Sequence, residues 1–352
     1  MTRPYLSVIV PAFNCAPTLV RTLAALVASD LPRADWELIV VDDGSSDETP
    51  QVAAGTADRV GRVPDGPKGP GWARNEGVKD ALGDVLVFID ADVCVGPRTL
   101  RQFAELFRAR PELAAAFGAY DDAPDAPGLV SQYRNLLHHH VHTVNPGPAT
   151  TFWAGCGAVR RAAFIAAGGF DGERYPRPQI CDIELGYRLT ALGAPILLVP
   201  EITGKHLKRW TFLGGVVTDF RDRGVPWMQL ILERREVAGQ GPLNLAVREK
   251  ALTLLAPVGV AAAVGALVFR SAALGVLAVA VFLGIVAGNA ALLRWFAGVR
   301  GWRFAAAIVP LRIGYYVLNS ISAGWAVVLH VSRPHRARPS RDDKFLPSRA
   351  SS

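Results

Sequence analysis

Two kinds of hydrophobic block alternate along the first 215 residues. Short apolar runs, "SVIVPAFN", "WELIVVDD" and "DVLVFIDADV", each stop abruptly at polar residues. Runs this short and this apolar read as strands buried on both faces. Between them the spacing turns helical. "APTLVRTLAALVAS" places Leu19, Leu23, Leu26 and Val27 on one helix face, and "PRTLRQFAELFRAR" does the same with Leu100, Phe103, Leu106 and Phe107. "GPGWARNEGVKDAL" is glycine-rich and then helical. Strands alternating with helices predict an α/β fold with a doubly wound, mostly parallel sheet. Ligands bind such sheets at the carboxyl ends of the strands. Here those ends carry Asn14, Asp42, Asp43, Asp90 and Asp92, expected to line one crevice.

After residue 250 the pattern changes. Ala251–Phe269 and Ala272–Leu293 contain no charged residue, and each is long enough to cross a bilayer. Arg270 and Ser271 alone separate them, which predicts a tight hairpin. A third apolar stretch, Phe304–Val331, is interrupted by Pro310 and Arg312. Arg294, Arg300 and Arg303 in the loop before it, and the basic segment before the first span, should be cytoplasmic. A third span would carry Arg333, Arg336 and Arg338 to the other side, so this stretch either crosses at some cost or re-enters. "RDRGVPWMQLILERR" reads as an amphipathic linker lying on the membrane. The expected organisation is a catalytic domain at 1–215, an interfacial linker at 216–250, a transmembrane helical region at 251–331 and a basic, disordered tail at 332–352.

Composition sharpens this. The chain has 38 Lys and Arg against 31 Asp and Glu, a formal charge of +7. The surplus lies around the apolar segments, which suits anionic membrane lipids and not nucleic acid. Four cysteines lack paired spacing, and "YLSVIVPAF" is too short for a signal peptide. Both observations predict a reduced, cytoplasmic catalytic domain on a multi-pass protein of the cell membrane.

The acids suggest chemistry. Asp90 and Asp92 alternate at a strand end, so both carboxylates can face one side. Side by side they repel, unless a cation sits between them. Hard oxygen ligands at this spacing suit Mg²⁺ or Mn²⁺ shared with substrate phosphates; a bare D-x-D also fits an Asp-rich turn. Arg74 opens a helix after "GPGW", a placement that favours phosphate or simply starts a helix. "PAFNCA" after the first strand lacks G-x-G-x-x-G, which excludes a dinucleotide fold. "LLHHHVH" (His138, His139, His140, His142) lacks carboxylate partners and reads as packing or polar lining.

Six segments together, "VIVPAFN", "VVDDGSSDET", "GPGWARNEG", "VLVFIDADV", "RRAAFIAAGGFD" and "CDIELGYRL", resemble a family 2 glycosyltransferase of GT-A fold over residues 5–215. The resemblance implies a nucleotide-diphosphate sugar donor (UDP- or GDP-linked), a divalent metal and inversion at the anomeric carbon. It implies that Pro11, Asn14 and Asp43 contact the nucleoside, with Asp42 nearby, and that Arg74 lies near the diphosphate. Asp90 would touch the ribose or metal, and Asp92 would bind the metal. Asp182 matches the family's catalytic base, but Cys181 precedes it where Glu is usual. His206 is a further candidate metal ligand. Arg209 and Trp210 echo the Q-x-x-R-W signature of processive members and would meet the diphosphate or acceptor. As headgroup anchors on an interfacial helix they would serve equally. Trp153 and Cys181 are candidates for the acceptor pocket.

The expected activity is sugar transfer to the hydroxyl of a lipid-linked or other membrane-delivered glycan acceptor. A polyprenyl-phosphate acceptor is the alternative within the class. A catalytically weakened, nucleotide-sugar-binding membrane protein is the alternative outside it.

Overall fold

A computed structural model of the chain describes residues 3–234 and 247–332. They divide into two compact units, one from residues 3–126 and 134–209, the other from residues 127–133, 210–234 and 247–332.

The first unit is built on nine strands: β1 (Leu6–Ala12), β2 (Trp36–Asp42), β3 (Arg59–Arg62), β4 (Val85–Ile89), β5 (Val93–Val95), β6 (Ala115–Tyr120), β7 (Gly147–Ala149), β8 (Cys156–Arg160) and β9 (Ile196–His206). Its helices are α1 (Ala16–Val27), α2 (Thr49–Ala54), α3 (Pro70–Asp80), α4 (Thr99–Ala109), most of α5 (Leu129–Thr143), α6 (Arg161–Ala166) and α7 (Cys181–Ala191). The strand order is β3-β2-β1-β4-β8-β6-β9-β5, with β7 beside β9. Strands β1, β2 and β4 are buried along their whole length. Helices cover both of their faces, which explains why their sequences are continuous apolar runs.

The expected parallel sheet is present in β3-β2-β1-β4. Beyond β4 the sheet is mixed: β8 is antiparallel to both β4 and β6, and β5 and β7 are antiparallel to β9. Strand direction leaves no mark on a fully buried sequence, since both orientations bury the same side chains.

The second unit contains α8 (Phe212–Val217), a π-helical turn (Thr218–Gly224), α9 (Val225–Glu233), α10 (Val247–Val268), α11 (Ala272–Gly288), α12 (Ala290–Arg300), α13 (Trp302–Ala307) and α14 (Val309–Ser332). Helix α10 and the Trp302–Ser332 stretch are long and apolar enough to cross a membrane. The expected clean span Ala272–Leu293 is instead broken, because α11 and α12 meet at Asn289 with a bend of 63°. The Asn289 side-chain Nδ2 donates to the Ile285 carbonyl at 2.8 Å, ending α11.

The third stretch, read from sequence as interrupted, is the longer candidate. Pro310 falls in the first turn of α14, where proline costs no helical hydrogen bond. Arg312 is buried and paired. It donates from Nη2 to Glu249 Oε2 at 2.6 Å and from Nε to Asn289 Oδ1 at 2.9 Å. The Tyr316 hydroxyl is 3.1 Å from Glu249 Oε2 and 3.0 Å from Asn289 Oδ1. These four side chains tie α10, the α11–α12 bend and α14 together.

The described part of the linker is helical. Phe212 and Leu213 are exposed on α8. Gly224 lies so close to α14 that a Cβ there would come within 2.7 Å of Ser322 Oγ. Arg333, Arg336, Arg338 and the rest of the tail lie outside the described residues.

Candidate active site

The site gathers at the ends of β1, β2 and β4 and at the start of α7. Parallel register sets Pro11 beside Val41 and Ala12 beside Asp42. Just past β1, Asn14 takes a left-handed backbone (φ 45°), which its short polar side chain tolerates. Its Oδ1 accepts from Ser46 N at 2.8 Å, and its own N–H donates to Ser45 Oγ at 2.9 Å. Asn14 therefore fastens the "DDGSS" turn to the end of β1.

Asp42 and Asp43 are both buried, with different duties. The Asp42 carboxylate accepts from the N–H groups of Gly44 and Ser45, closing its own turn. The Asp43 carboxylate reaches the loop before α3, accepting from Lys68 N at 2.8 Å and Gly69 N at 2.6 Å. Burial pushes the Asp43 carboxyl up, against the pull of those two donors. Glycine is required opposite, because a Cβ on Gly66 would meet the Asp43 carbonyl oxygen at 2.8 Å.

Asp90 and Asp92 do not sit on one extended strand. A turn joins β4 to β5 and carries both. Asp90 Oδ1 accepts from Arg74 Nη2 at 2.5 Å, and Asp92 Oδ2 lies 3.4 Å from His206 Nε2. The second contact follows from the antiparallel register that pairs Val93 with His206. Burial alone would raise the Asp92 carboxyl, but His206 and Lys208 hold it below the usual carboxylate range.

Arg74 is buried at the start of α3. Besides Asp90 it approaches the Cys181 sulfur, Nη1 to Sγ 3.9 Å. Cys181 opens α7 and Asp182 follows. The Asp182 carboxylate accepts from Ala154 N at 3.2 Å and Ile183 N at 2.8 Å. Burial raises the Asp182 carboxyl, while the Arg74 charge and these N–H donors oppose the rise. Glu184 turns to Arg188, Oε2 to Nη2 2.7 Å, and braces the helix.

The segment Trp153–Ala154–Gly155 joins the two halves of the site. Gly155 O accepts from Asp90 N at 3.1 Å, and Ala154 N serves Asp182. The Trp153 indole lies against Gly155, where a Cβ would fall 2.5 Å from the ring. Trp153 also touches the rings of Tyr120, His138 and His142. Arg209 is exposed, and the Trp210 backbone N–H donates to Ser131 Oγ at 2.8 Å.

Among the described residues, no group of three His, Cys, Asp or Glu side chains is placed to hold a metal ion. The expected trio of Asp90, Asp92 and His206 is therefore not assembled; Asp90 is taken up by Arg74. The Asp92–His206 pair does fit a hexacoordinate cation that draws its other ligands from phosphate and water. Neighbouring ligands on an octahedron are about 3 Å apart, close to the 3.4 Å found.

Residues 7–168 match glycosyl transferase family 2. This segment is a family 2 glycosyltransferase domain. Validoxylamine A glucosyltransferase of Streptomyces hygroscopicus is 30% identical over 239 residues, covering 57% of this chain and 55% of that protein. Poly(ribitol-phosphate) beta-N-acetylglucosaminyltransferase TarS of Staphylococcus aureus is 33% identical over 102 residues, 28% of this chain and 18% of that protein. The chain thus spans about half the length of the first relative and less of the second. In fold, the chain resembles mannosyltransferase PcManGT from Pyrobaculum calidifontis, in complex with GDP-Man and Mn²⁺. The TM-score is 0.56 at 18% identity, over 92% of this chain and 88% of that one.

Within the glycosyltransferase domain, sequence reasoning missed four groups. The Ala154 N–H and Gly155 carbonyl are backbone atoms and leave no side-chain signature. Tyr120 stacks on the His206 imidazole, with ring centroids 4.3 Å apart and planes 7° from parallel. Asn135 Oδ1 lies 2.6 Å from His206 Nδ1. Asn135 comes just before the histidine run, and its neighbours hid it.

Proposed function

We propose that this chain transfers a sugar, with inversion, from a UDP- or GDP-sugar to the hydroxyl of a lipid-linked or membrane-delivered acceptor. The observation that carries the reading is Asp182: a buried carboxylate at a helix start, beside Arg74 and joined through Trp153–Gly155 to the Asp90–Asp92 turn. Inversion needs a base on the face opposite the leaving diphosphate, and Asp182 supplies it by accepting the acceptor hydroxyl proton. Desolvation strengthens it as a base, while Arg74 and the two N–H donors keep its ionised form accessible.

On the donor side, Pro11, Asn14, Asp42 and Asp43 shape the nucleoside pocket. Asp42 and Asp43 do so largely by ordering backbone, since their carboxylates accept from backbone N–H groups. Arg74 anchors Asp90 and brings positive charge toward the diphosphate. Asp92 and His206 are the residues to hold Mg²⁺ or Mn²⁺, which when bound would offset the charge growing on the leaving diphosphate. PcManGT with GDP-Man and Mn²⁺, and a TarS structure with UDP-GlcNAc (TM-score 0.50, 18% identity), support this class of donor. Trp153 offers an indole to the acceptor, and Arg209 and Trp210 stand at the boundary in sequence between the first unit and the second. The apolar helices α10 and Trp302–Ser332 support attachment to a membrane, with the transferase domain cytoplasmic.

A polyprenyl-phosphate acceptor is the second reading. Such an acceptor is already ionised and needs no base, so the buried Asp182 favours a hydroxyl. The test is release of nucleoside diphosphate from a panel of donors, with membrane lipid extract as acceptor, for wild type and Asp182→Asn. Turnover that survives the substitution removes the base assignment and favours the phosphate acceptor. Donor binding without turnover favours a non-enzymatic, nucleotide-sugar-binding protein.

A further inference from the structure

We propose that Asn135 is a positioning residue that aims the His206 imidazole at Asp92 and so presents the Asp92–His206 pair to a divalent cation. The inference rests on the glycosyltransferase reading above and extends it to a residue outside every motif. Asn135 is 2% exposed and His206 5%. The amide turns Oδ1 toward the imidazole Nδ1 at 2.6 Å. An amide oxygen can only accept, so Nδ1 carries the proton. Nε2 faces Asp92 Oδ2 at 3.4 Å, a separation at which one cation can take both atoms as neighbouring ligands.

Tyr120 supplies the second constraint. Its ring, stacked flat on the imidazole, stops His206 from rotating about its side-chain axis. With the plane set by Tyr120 and the proton placed by Asn135, Nε2 has one direction left. Histidine ligands usually owe their orientation to such a partner on the other ring nitrogen, and its loss costs about ten- to a hundredfold in metal affinity. The Asn135 Nδ2 has no hydrogen-bond partner among the described residues, although it is buried. Leaving a buried donor unsatisfied destabilises the fold.

The test is Mn²⁺ binding to the full chain in detergent, followed by the loss of the free-ion electron paramagnetic resonance signal, with UDP and separately with GDP. Asn135→Ala is expected to weaken Mn²⁺ binding about tenfold or more, and Asn135→Asp, which keeps an acceptor, to retain most of it. In a His206→Ala background, Asn135→Ala should cause no further loss. Thermal unfolding of each variant separates a misfolded protein from a mispositioned imidazole. An Asn135→Ala effect as large without His206 as with it overturns the proposal, as does no effect at all while a nucleotide still binds. A wild-type chain that binds Mn²⁺ with neither UDP nor GDP overturns both this proposal and the donor-site reading.

Discussion

Asp92 and His206 stand on the two partners of the β5–β9 pair, with Oδ2 and Nε2 3.4 Å apart. They form a carboxylate–imidazole contact at the strand ends. Chelation with EDTA is therefore expected to abolish sugar transfer, and added Mn²⁺ or Mg²⁺ to restore it. Asp92→Ala should raise the Mn²⁺ concentration for half-maximal rate by at least tenfold. Nucleoside diphosphate release against metal concentration is the measurement.

As the proposed base, Asp182 is expected to set the acid limb of the pH profile. Burial raises its carboxyl above the usual carboxylate range, and a base acts only when deprotonated. As pH falls through that raised value, activity should fall with it, so the limb is expected higher than for a solvated aspartate. Asp182→Asn should lower kcat by about 10²- to 10⁴-fold and leave donor affinity nearly unchanged. Steady-state rates from acid to neutral pH, with donor binding by calorimetry, check both.

The four cysteines should sort by burial. Desolvation pushes the Cys156 and Cys181 thiols up to about 12, while Cys15 and Cys94 are only half-buried and desolvation, though it raises them too, does so less. The thiolate is the reactive form. Iodoacetamide at pH 8 is expected to label Cys15 and Cys94 and to spare Cys156 and Cys181 until the protein is denatured, as peptide mass mapping would show. Cys181→Glu would place a second carboxylate against Arg74 and next to Asp182. Like charge raises a carboxyl pKa, so that variant should move the acid limb to higher pH.

Gly155 tests the link between the two halves of the site. A methyl group there would fall 2.5 Å from the Trp153 indole. Gly155→Ala is expected to displace the ring and destabilise the fold by about 1–3 kcal/mol. Acceptor KM should rise more than donor KM, measured with each substrate varied in turn.

The strands and the acidic crevice were legible because burial on both faces and abrupt polar ends are written in side chains. "VDDGSSDETP" marked the correct strand end. Its side chains alone could not say that Asp42 closes its own turn while Asp43 holds Lys68 and Gly69. The direction of β8 was not legible, since reversal buries the same residues. Neither was the parting of Asp90 from Asp92, because their partners, Arg74 on α3 and His206 on β9, come from separate elements. In the apolar region, hydropathy favoured Ala272–Leu293 and discounted the stretch holding Arg312. It counts charges without seeing partners, and Arg312 has two.

Those partners make a prediction of their own. Glu249→Ala leaves the buried Arg312 guanidinium without its carboxylate and should destabilise the helical unit by about 3–5 kcal/mol. Replacing Arg312 by Met as well should recover much of the loss. Thermal unfolding in detergent of both single variants and the double variant measures it.

The same knot has a consequence in time. Glu249 leaves the ribosome 63 residues ahead of Arg312, and Asn289 emerges between them. The first two apolar helices are therefore made while Glu249 has its neighbour Arg248 beside it but not yet the buried guanidinium of α14. In a chain that delivers these helices to lipid, biogenesis is complete only when α14 arrives. A nascent protein truncated before Arg312 would leave Glu249 with only the exposed Arg248 to balance it.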